Sequence, residues 1–408
     1  MKRILYVHHA GGIGGAPLSL LFLLQKLDRS RFEPMVITLK PGPVVDLYRG
    51  EGIETQVEPR ISDFSHTELE WYGGRDLWRL PIKVARILPS LGQMRRLLRQ
   101  LQPDLVHLNS STLAYLTSAC HRENIPCVLH IREPITQGYL GLRRSWLRRV
   151  IARNASEVVA ISQHDANQLI LKSNVHVIHN FVDFNSFDRH LDGGAVREAL
   201  GIDPAQAIIT MLGGVAEPKG TLTLIKALPE LVQAVPEVKV LIAGPPPKAL
   251  SEPGLKGLIK KFIGVDAYQK TVQREISALP ADAQEALIFT GIRRDIPQIL
   301  AASQALVFPS VVPHFARPVI EAAAMGVPAV ASNLGGPREL IIPDQTGLLI
   351  PPNDPSALAI ALVDLLRNPQ WAAQLGEAAY QRARQMFDSN SNAQATFAVY
   401  VRIFDNLA

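Results

Sequence analysis

The sequence predicts an α/β protein made of two doubly wound parallel sheets, one in each half of its 408 residues. Short apolar runs alternate with helical stretches from end to end, and strands that alternate with helices pair in parallel through helical crossovers. The plan strand, glycine turn, helix also opens both halves, as KRILYVHHAGGIGGAPLSLLFLLQKL from Lys2 and as AIITMLGGVAEPKGTLTLIKALPELV from Ala207. Finally, 408 residues exceed one small core, so two domains of roughly 200 residues each are the natural division.

In the first half the opening strand runs into the glycine loop Gly11 to Ala16, and Pro17 opens a helix. MVITL, DLVHLN, CVLHI, VVAIS and HVIHN follow as strands. Strand patterning stops between Val182 and Ala205, where DFNSFDRHLDGG is polar and turn-rich, so the join falls there. In the second half VKVLIAG, ALIFTG, ALVFPS and AVAS are the further strands. ALVF and PAVAS are short and apolar, as parallel strands covered on both faces are. Pro318 and Pro337 mark helix starts, because proline there loses only an N–H that has no partner. Two sheets of this kind, facing one another, leave a cleft at the carboxyl ends of their strands, where ligands of open α/β sheets bind.

The segment Pro309 to Gly347 is the most informative. It holds two glycine- and proline-marked turns, each leading into a helix, around a single glutamate, Glu321. Free N–H groups at helix starts attract phosphate, so the segment reads either as a grip for a nucleotide diphosphate or as ordinary loop-rich scaffold. A dinucleotide oxidoreductase competes, because Gly12-x-Gly14 follows a strand. The third glycine position of that fingerprint is Pro17, however, and MVITLK ends in Lys40 where a ribose-binding acid belongs. Gly12, Gly14 and Gly15 are then either backbone lying close to a ligand phosphate or sugar, or a simple tight turn.

Charge is uneven. The net value is +5, but residues 1–183 carry 23 Lys and Arg against 16 Asp and Glu, leaving 19 against 21 beyond. Gly73 to Gln100 holds Arg75, Arg79, Lys83, Arg86, Arg95, Arg96 and Arg99 against Asp76, interleaved with apolar residues, and LGLRRSWLRRVIAR from Leu140 repeats the texture. Such stretches are either solvated helix faces packed inward on their apolar side or peripheral contacts for anionic membrane. No apolar run approaches the roughly 18 to 20 residues that span a bilayer, and the opening MKRILYVHHAGG is too short to be a signal peptide. A cytoplasmic protein, at most peripheral at the inner face of the membrane, is the expectation. Cys120 and Cys127 lack metal-ligand spacing and read as reduced core thiols. HVIH, with His176 and His179, has no zinc spacing and reads as structural.

The ordered motifs PDLVHLNS, VLHIREP, VVAIS, VIHNFVD, PKG, LIAG, GIRRDIP and above all IEAAAMGVPAVASNLGGPREL resemble, along essentially the whole chain, the GT-B glycosyltransferases of the retaining family 4 type. The resemblance implies Rossmann-like domains: 1–183 on the acceptor side, a linker at 184–205, 206–387 holding a nucleotide-sugar donor, and 388–408 as a helix returning to the first domain. It implies a sugar moved from a nucleotide diphosphate sugar to a glycan or lipid-linked acceptor. No metal or other cofactor is expected, the chain having no Asp-x-Asp, and nucleic acid is not an expected partner. An epimerase or hydrolase on nucleotide sugars, or a binding protein without catalysis, are the other readings.

Residue by residue, the resemblance gives Glu321 the two ribose hydroxyls, which one carboxylate can accept together. Lys219 would meet the diphosphate as charge grows on the leaving nucleotide. Gly335 and Gly336 would let backbone amides approach phosphate. Glu339 either binds there or only favours the helix dipole, and Asn333 is either a contact or a turn residue. His130 would hydrogen-bond the transferred sugar, or is a core histidine; His107, on the neighbouring strand, has the same two readings with the weaker claim to function. Two departures stand out. Pro313 replaces the family's donor-sugar glutamate, leaving the amides of His314, Phe315 and Ala316 and the His314 side chain to meet the sugar. Gly214 replaces an arginine, a loss that Arg317, Arg293 or Arg294 would have to cover.

Overall fold

The computed structural model describes residues 1–65, 79–138, 141–170, 173–247 and 267–406. The chain divides into two compact units, Met1–Phe181 with Ser389–Ala408, and Val182–Asp388.

The first unit is built on a seven-stranded sheet: β1 (Lys2–His8), β2 (Phe32–Thr38), β3 (Glu54–Val57), β4 (Leu105–Leu108), β5 (Cys127–Ile131), β6 (Glu157–Ala160) and β7 (Val175–Val177), in the order β3-β2-β1-β4-β5-β6-β7. Every pairing is parallel, and the register sets Tyr6 beside His107 and His107 beside Val128. Although β1 is continuously apolar, its side chains still alternate between faces. Leu5 and Val7 join Met94, Leu98, Val106, Leu108 and Leu129 on one side. Ile4 and Tyr6 join Leu20, Leu24, Val36, Leu105 and Val128 on the other, where Ala393, Val399, Tyr400 and Ile403 of the last helix, Ser389–Asp405, complete the cover.

The second unit has six strands, β8 (Ile208–Leu212), β9 (Lys239–Ala243), β10 (Leu287–Gly291), β11 (Ala305–Phe308), β12 (Ala329–Ser332) and β13 (Leu348–Ile350). Their order is β10-β9-β8-β11-β12-β13, again all parallel. The strand order reverses at β8 and β11, the switch point where ligands of such sheets bind. The helices Arg317–Ala324 and Pro337–Leu340 carry Pro318 and Pro337 in their first turns.

Two features differ from the sequence reading. β3 and β13 were not among the expected strands; both are edge strands, with one neighbour each. Residues 184–205, expected as a linker, fold onto the second unit, and the chain changes unit at Phe181/Val182. The helix Gly194–Ala199 buries Val196, and Arg197 donates to the carbonyls of Gln206 and Ala302, each at 2.8 Å. At Gly193 an added Cβ would lie 2.4 Å from Ala302 N, so only glycine permits this docking.

Candidate functional site

In the second unit the loops that follow β8, β9, β11 and β12 interlock through glycines. β8 is followed by Gly213 and Gly214, both with positive φ (102° and 72°). A Cβ on Gly213 would stand 1.6 Å from Nζ of Lys219, so the ammonium rests directly on the glycine backbone. A Cβ on Gly214 would stand 2.5 Å from Pro245 N; the loop after β9 leaves no room for the arginine that the family carries there. Lys219 closes the short 3-10 turn Glu217–Lys219. Gly220 (φ 73°) sets that turn against Pro309, whose oxygen a Cβ would meet at 1.7 Å, and Val311 N donates to Pro218 O at 3.1 Å. The lysine turn after β8 is thereby fixed to the loop after β11, across the switch point.

Burial holds the Lys219 ammonium below its usual pKa, and the nearby Glu321 carboxylate works against that shift. Glu321 lies one turn along the helix Arg317–Ala324, and its Oε1 accepts from Arg317 Nε at 2.6 Å, both side chains being 13% exposed. Arg317 is thus engaged with Glu321, and Arg293 with Asp295 at 2.8 Å.

His314 Nδ1 lies 3.0 Å from Val312 O, and its ring centroid 5.2 Å from that of Phe308. A carbonyl only accepts, so Nδ1 carries the proton; burial, with Lys219 adding to it, pushes the imidazole pKa down. The neutral ring keeps the lone pair of Nε2 as an acceptor. Gly335 and Gly336 press on the same loop: a Cβ on the first would stand 2.9 Å from Pro313 Cβ, on the second 2.8 Å from His314 O. Phe315 and Ala316 are buried beneath it. Asn333 is exposed, its backbone N–H bound to Ile350 O at 2.8 Å, and Glu339 offers its carbonyl to Arg382 at 2.9 Å. Structure therefore brings together Lys219, His314, Phe315, Ala316, Arg317, Glu321, Gly335 and Gly336, with Asn333 and Glu339 at the rim formed after β12.

In the first unit the carboxyl ends of β1, β4 and β5 carry a buried polar layer. His130, 4% exposed, places Nδ1 3.2 Å from His107 Nε2, and His107 Nδ1 lies 2.7 Å from Tyr400 Oη. Asn109 Nδ2 lies 3.1 Å from His8 Nδ1, while Arg132 donates to Asn109 Oδ1 at 2.5 Å and to Asn180 Oδ1 at 2.8 Å. Burial first holds His8, His107 and His130 well below the usual imidazole range, with His9 and then Arg132 adding to it at His8 and Arg132 at the other two, so all three are neutral near pH 7. Asn109, Arg132 and Asn180 have no role in the sequence reading, although the motifs HLNS, REP and HNF contain them. Gly12 and Gly14 have open space where a Cβ would sit, whereas Gly11 has none, Pro41 O lying 2.1 Å from the position. Gly14 caps, and Gly15 begins, the helix Gly15–Gln25.

Among the described residues no group of three or more His, Cys, Asp or Glu is arranged to hold a metal, and no helix is long and apolar enough to cross a membrane. Of the basic stretch, Arg75, Asp76, Leu77 and Trp78 lie outside the described residues, as does Leu140. Arg95 and Arg99 both donate to Glu123, at 2.6 Å and 2.7 Å. On the helix Leu142–Asn154, Leu142, Trp146, Arg149 and Arg153 share an exposed face.

Comparison with known proteins fits this arrangement. The family described as Glycosyltransferase Family 4 matches residues 13–186, and the one described as Glycosyl transferases group 1 matches residues 194–382. A D-inositol 3-phosphate glycosyltransferase of Catenulispora acidiphila is 27% identical over 263 residues, 62% of this chain and 57% of that protein. A UDP-Gal:alpha-D-GlcNAc-diphosphoundecaprenol alpha-1,3-galactosyltransferase of Escherichia coli is 25% identical over 297 residues, 69% of this chain and 71% of that protein. Against the inositol phosphate enzymes the match thus spans little more than half of the relative's length, 57% in one case and 52% in another, from Streptomyces avermitilis. The crystal structure of Anabaena HepE in complex with UDP superposes with a TM-score of 0.78 at 23% identity, covering 98% of this chain and all of that one. The interlocked loops of the second unit, the two parallel sheets and the two adjoining family matches agree: the chain belongs to the glycosyltransferases of family 4 and group 1, with the GT-B fold.

Proposed function

We propose that this protein moves a sugar from a uridine diphosphate sugar to a hydroxyl of a glycan or lipid-linked acceptor, with retention at the anomeric carbon and without a metal ion. The carrying observation is the Lys219 ammonium, perched on Gly213 and facing the charge of Glu321 at the β8/β11 switch. In this reading the diphosphate lies against that ammonium. The ribose hydroxyls donate to Glu321, whose geometry Arg317 fixes. His314 Nε2 and the amides of Phe315 and Ala316 serve the sugar in place of the carboxylate lost at Pro313, and His130, in the first unit, is a hydrogen-bonding group for substrate. Uridine is the choice that the Escherichia coli relative and the UDP complex of HepE support.

Retention without an enzyme nucleophile follows when the acceptor oxygen attacks from the face that the nucleotide leaves. The C1–O bond to the phosphate breaks as the C1–O bond to the acceptor forms, and the departing phosphate oxygen takes the acceptor's proton. The protein orients both partners and stabilises the charge that develops on the diphosphate. The exposed face formed by Leu142, Trp146, Arg149 and Arg153 is the place where a peripheral contact with anionic lipid would form.

Titration with UDP, followed by product analysis with UDP-galactose or UDP-glucose and candidate acceptors, tests the reading. Glu321→Ala should abolish both UDP binding and sugar transfer. Unchanged UDP affinity in that variant removes the site. Sugar released or epimerised with no acceptor requirement replaces transfer with hydrolysis or epimerisation, and activity lost on chelation overturns metal independence.

A further inference from the structure

The buried line Tyr400–His107–His130 joins the last helix to the end of β5 and finishes on an atom without a partner. Tyr400 Oη is 2.7 Å from His107 Nδ1, His107 Nε2 is 3.2 Å from His130 Nδ1, and His130 Nε2 is buried with no hydrogen bond. Tyr400 and His107 are 0% exposed and His130 is 4%. Burial keeps both rings neutral and the phenol protonated, so each of the three groups carries one proton.

One proton per group allows only two arrangements. In the first, Tyr400 donates to His107 Nδ1, His107 Nε2–H donates to His130 Nδ1, and His130 carries its proton on Nε2. In the second every bond reverses: His130 Nδ1–H donates to His107, His107 Nδ1–H donates to Tyr400, and a phenol proton at the far end needs another acceptor. Tyr6, its Oη also buried, is the hydroxyl that hydrogen-bonds with Tyr400: it donates to Tyr400 in the first arrangement and accepts from it in the second, where its own proton is left without an acceptor. The second arrangement therefore strands a buried phenol proton as well as the lone pair of His130 Nε2. The first strands only the His130 Nε2–H, and a ligand oxygen satisfies it. Unmade buried donors are the costly ones, which selects the first arrangement.

We propose that Tyr400 is a positioning residue which, through His107, holds His130 in the Nε2–H tautomer, so that His130 presents a hydrogen-bond donor to a substrate oxygen. The substrate contact, and the ligand oxygen that favours this tautomer, rest on the function proposed above; the proton position itself is read without any turnover. Sequence separation hides the device, since Tyr400 lies 293 residues from His107.

Nitrogen-15 spectra of the histidine-labelled full chain decide it, with the His130 signals assigned by their loss in His130→Gln. The wild-type protein should show the proton on His130 Nε2. In Tyr400→Phe the two arrangements strand one N–H and one lone pair each, so His130 should become a roughly even mixture, with UDP affinity unchanged and transfer from UDP-galactose or UDP-glucose about halved. A wild-type proton on Nδ1 overturns the proposal without any variant, as does a Tyr400→Phe spectrum identical to wild type. His130→Ala separates the two layers: it should lower transfer by at least tenfold, and unchanged transfer overturns the substrate contact while leaving the tautomer assignment to the spectra.

Discussion

The placement of Lys219 on a glycine makes Gly213→Ala a direct probe of the ammonium. The added methyl would stand 1.6 Å from Nζ, 2.8 Å from Cε and 3.1 Å from Cδ, so the lysine tip has to leave its position. That tip is flexible, and the larger structural cost is backbone. Gly213 has φ 102°, and forcing a residue with a Cβ into such a conformation costs about 1–2 kcal/mol. At about 2–4 °C per kcal/mol for a body of this size, the melting temperature should fall by about 2–8 °C. Catalysis should fall much further: removing one group aimed at developing charge costs about 2.7–4 kcal/mol, or 100- to 1,000-fold in kcat.

Initial rates and thermal denaturation of Gly213→Ala, Lys219→Met and the double variant form a cycle. Both single variants should lose kcat to a similar extent, and the double variant should lose little more, because the methyl acts only through the ammonium. Gly213→Ala with kcat within threefold of wild type, beside a hundredfold loss in Lys219→Met, would refute the idea that the perch on Gly213 is the working position. Independent, multiplying losses would refute the idea that the methyl acts through the lysine.

Other consequences are open to measurement. Glu321→Gln keeps an oxygen for Arg317 but offers ribose a neutral group in place of a charged one, so UDP affinity measured by calorimetry should fall about tenfold, a loss of ~1.4 kcal/mol, with little change in melting temperature. His8, His107 and His130 have folded pKa values depressed below the unfolded value near 6.5, so the unfolded chain binds protons first and stability falls as pH drops. Between pH 7 and 5.5 the loss is ~1.2 kcal/mol per histidine and ~4 kcal/mol for the three; denaturant titrations with the same stability at both pH values would contradict it. Trp146→Ala combined with Arg149→Gln and Arg153→Gln should weaken sedimentation with anionic vesicles, whereas Arg95→Gln should do so less because Glu123 already engages Arg95. Equal effects would remove the lipid face from the helix Leu142–Asn154.

Much of this molecule was legible in the sequence. Strands buried on both faces, such as ALVF and CVLHI, announce themselves as apolar runs, and Pro318 and Pro337 mark their helices as local chemistry requires. The edge strands did not: β3 is ETQV, with two polar side chains and an acid, and β13 has only three residues, so neither carries the pattern of a covered strand. Glu321 and Lys219 were found as residue types beside turns, but their mutual influence was not, because it depends on Gly220 docking against Pro309 O. Gly214 read as a lost cation, and the proximity of Pro245 gives it a steric reason. The stretch 182–205 looked like a connector because it is polar and turn-rich; Gly193 against Ala302 is a contact that no local signal announces. The same holds for Asn109, Arg132 and Asn180, which converge only when β4, β5 and the segment after β7 are assembled.

The last helix also fixes a timetable. Ala393, Val399, Tyr400 and Ile403 belong to the same apolar cluster as Ile4, Tyr6 and Leu20, so the unit begun at β1 is finished only by a helix made after Val182–Asp388. At about 5–20 residues per second, a ribosome that has made Phe181 needs roughly 10–45 s to supply the missing helix. During that interval part of one face of the nascent sheet stays uncovered, while Val182–Asp388 is continuous in the chain and needs no later segment to complete it. The order of birth and the order of completion are therefore inverted.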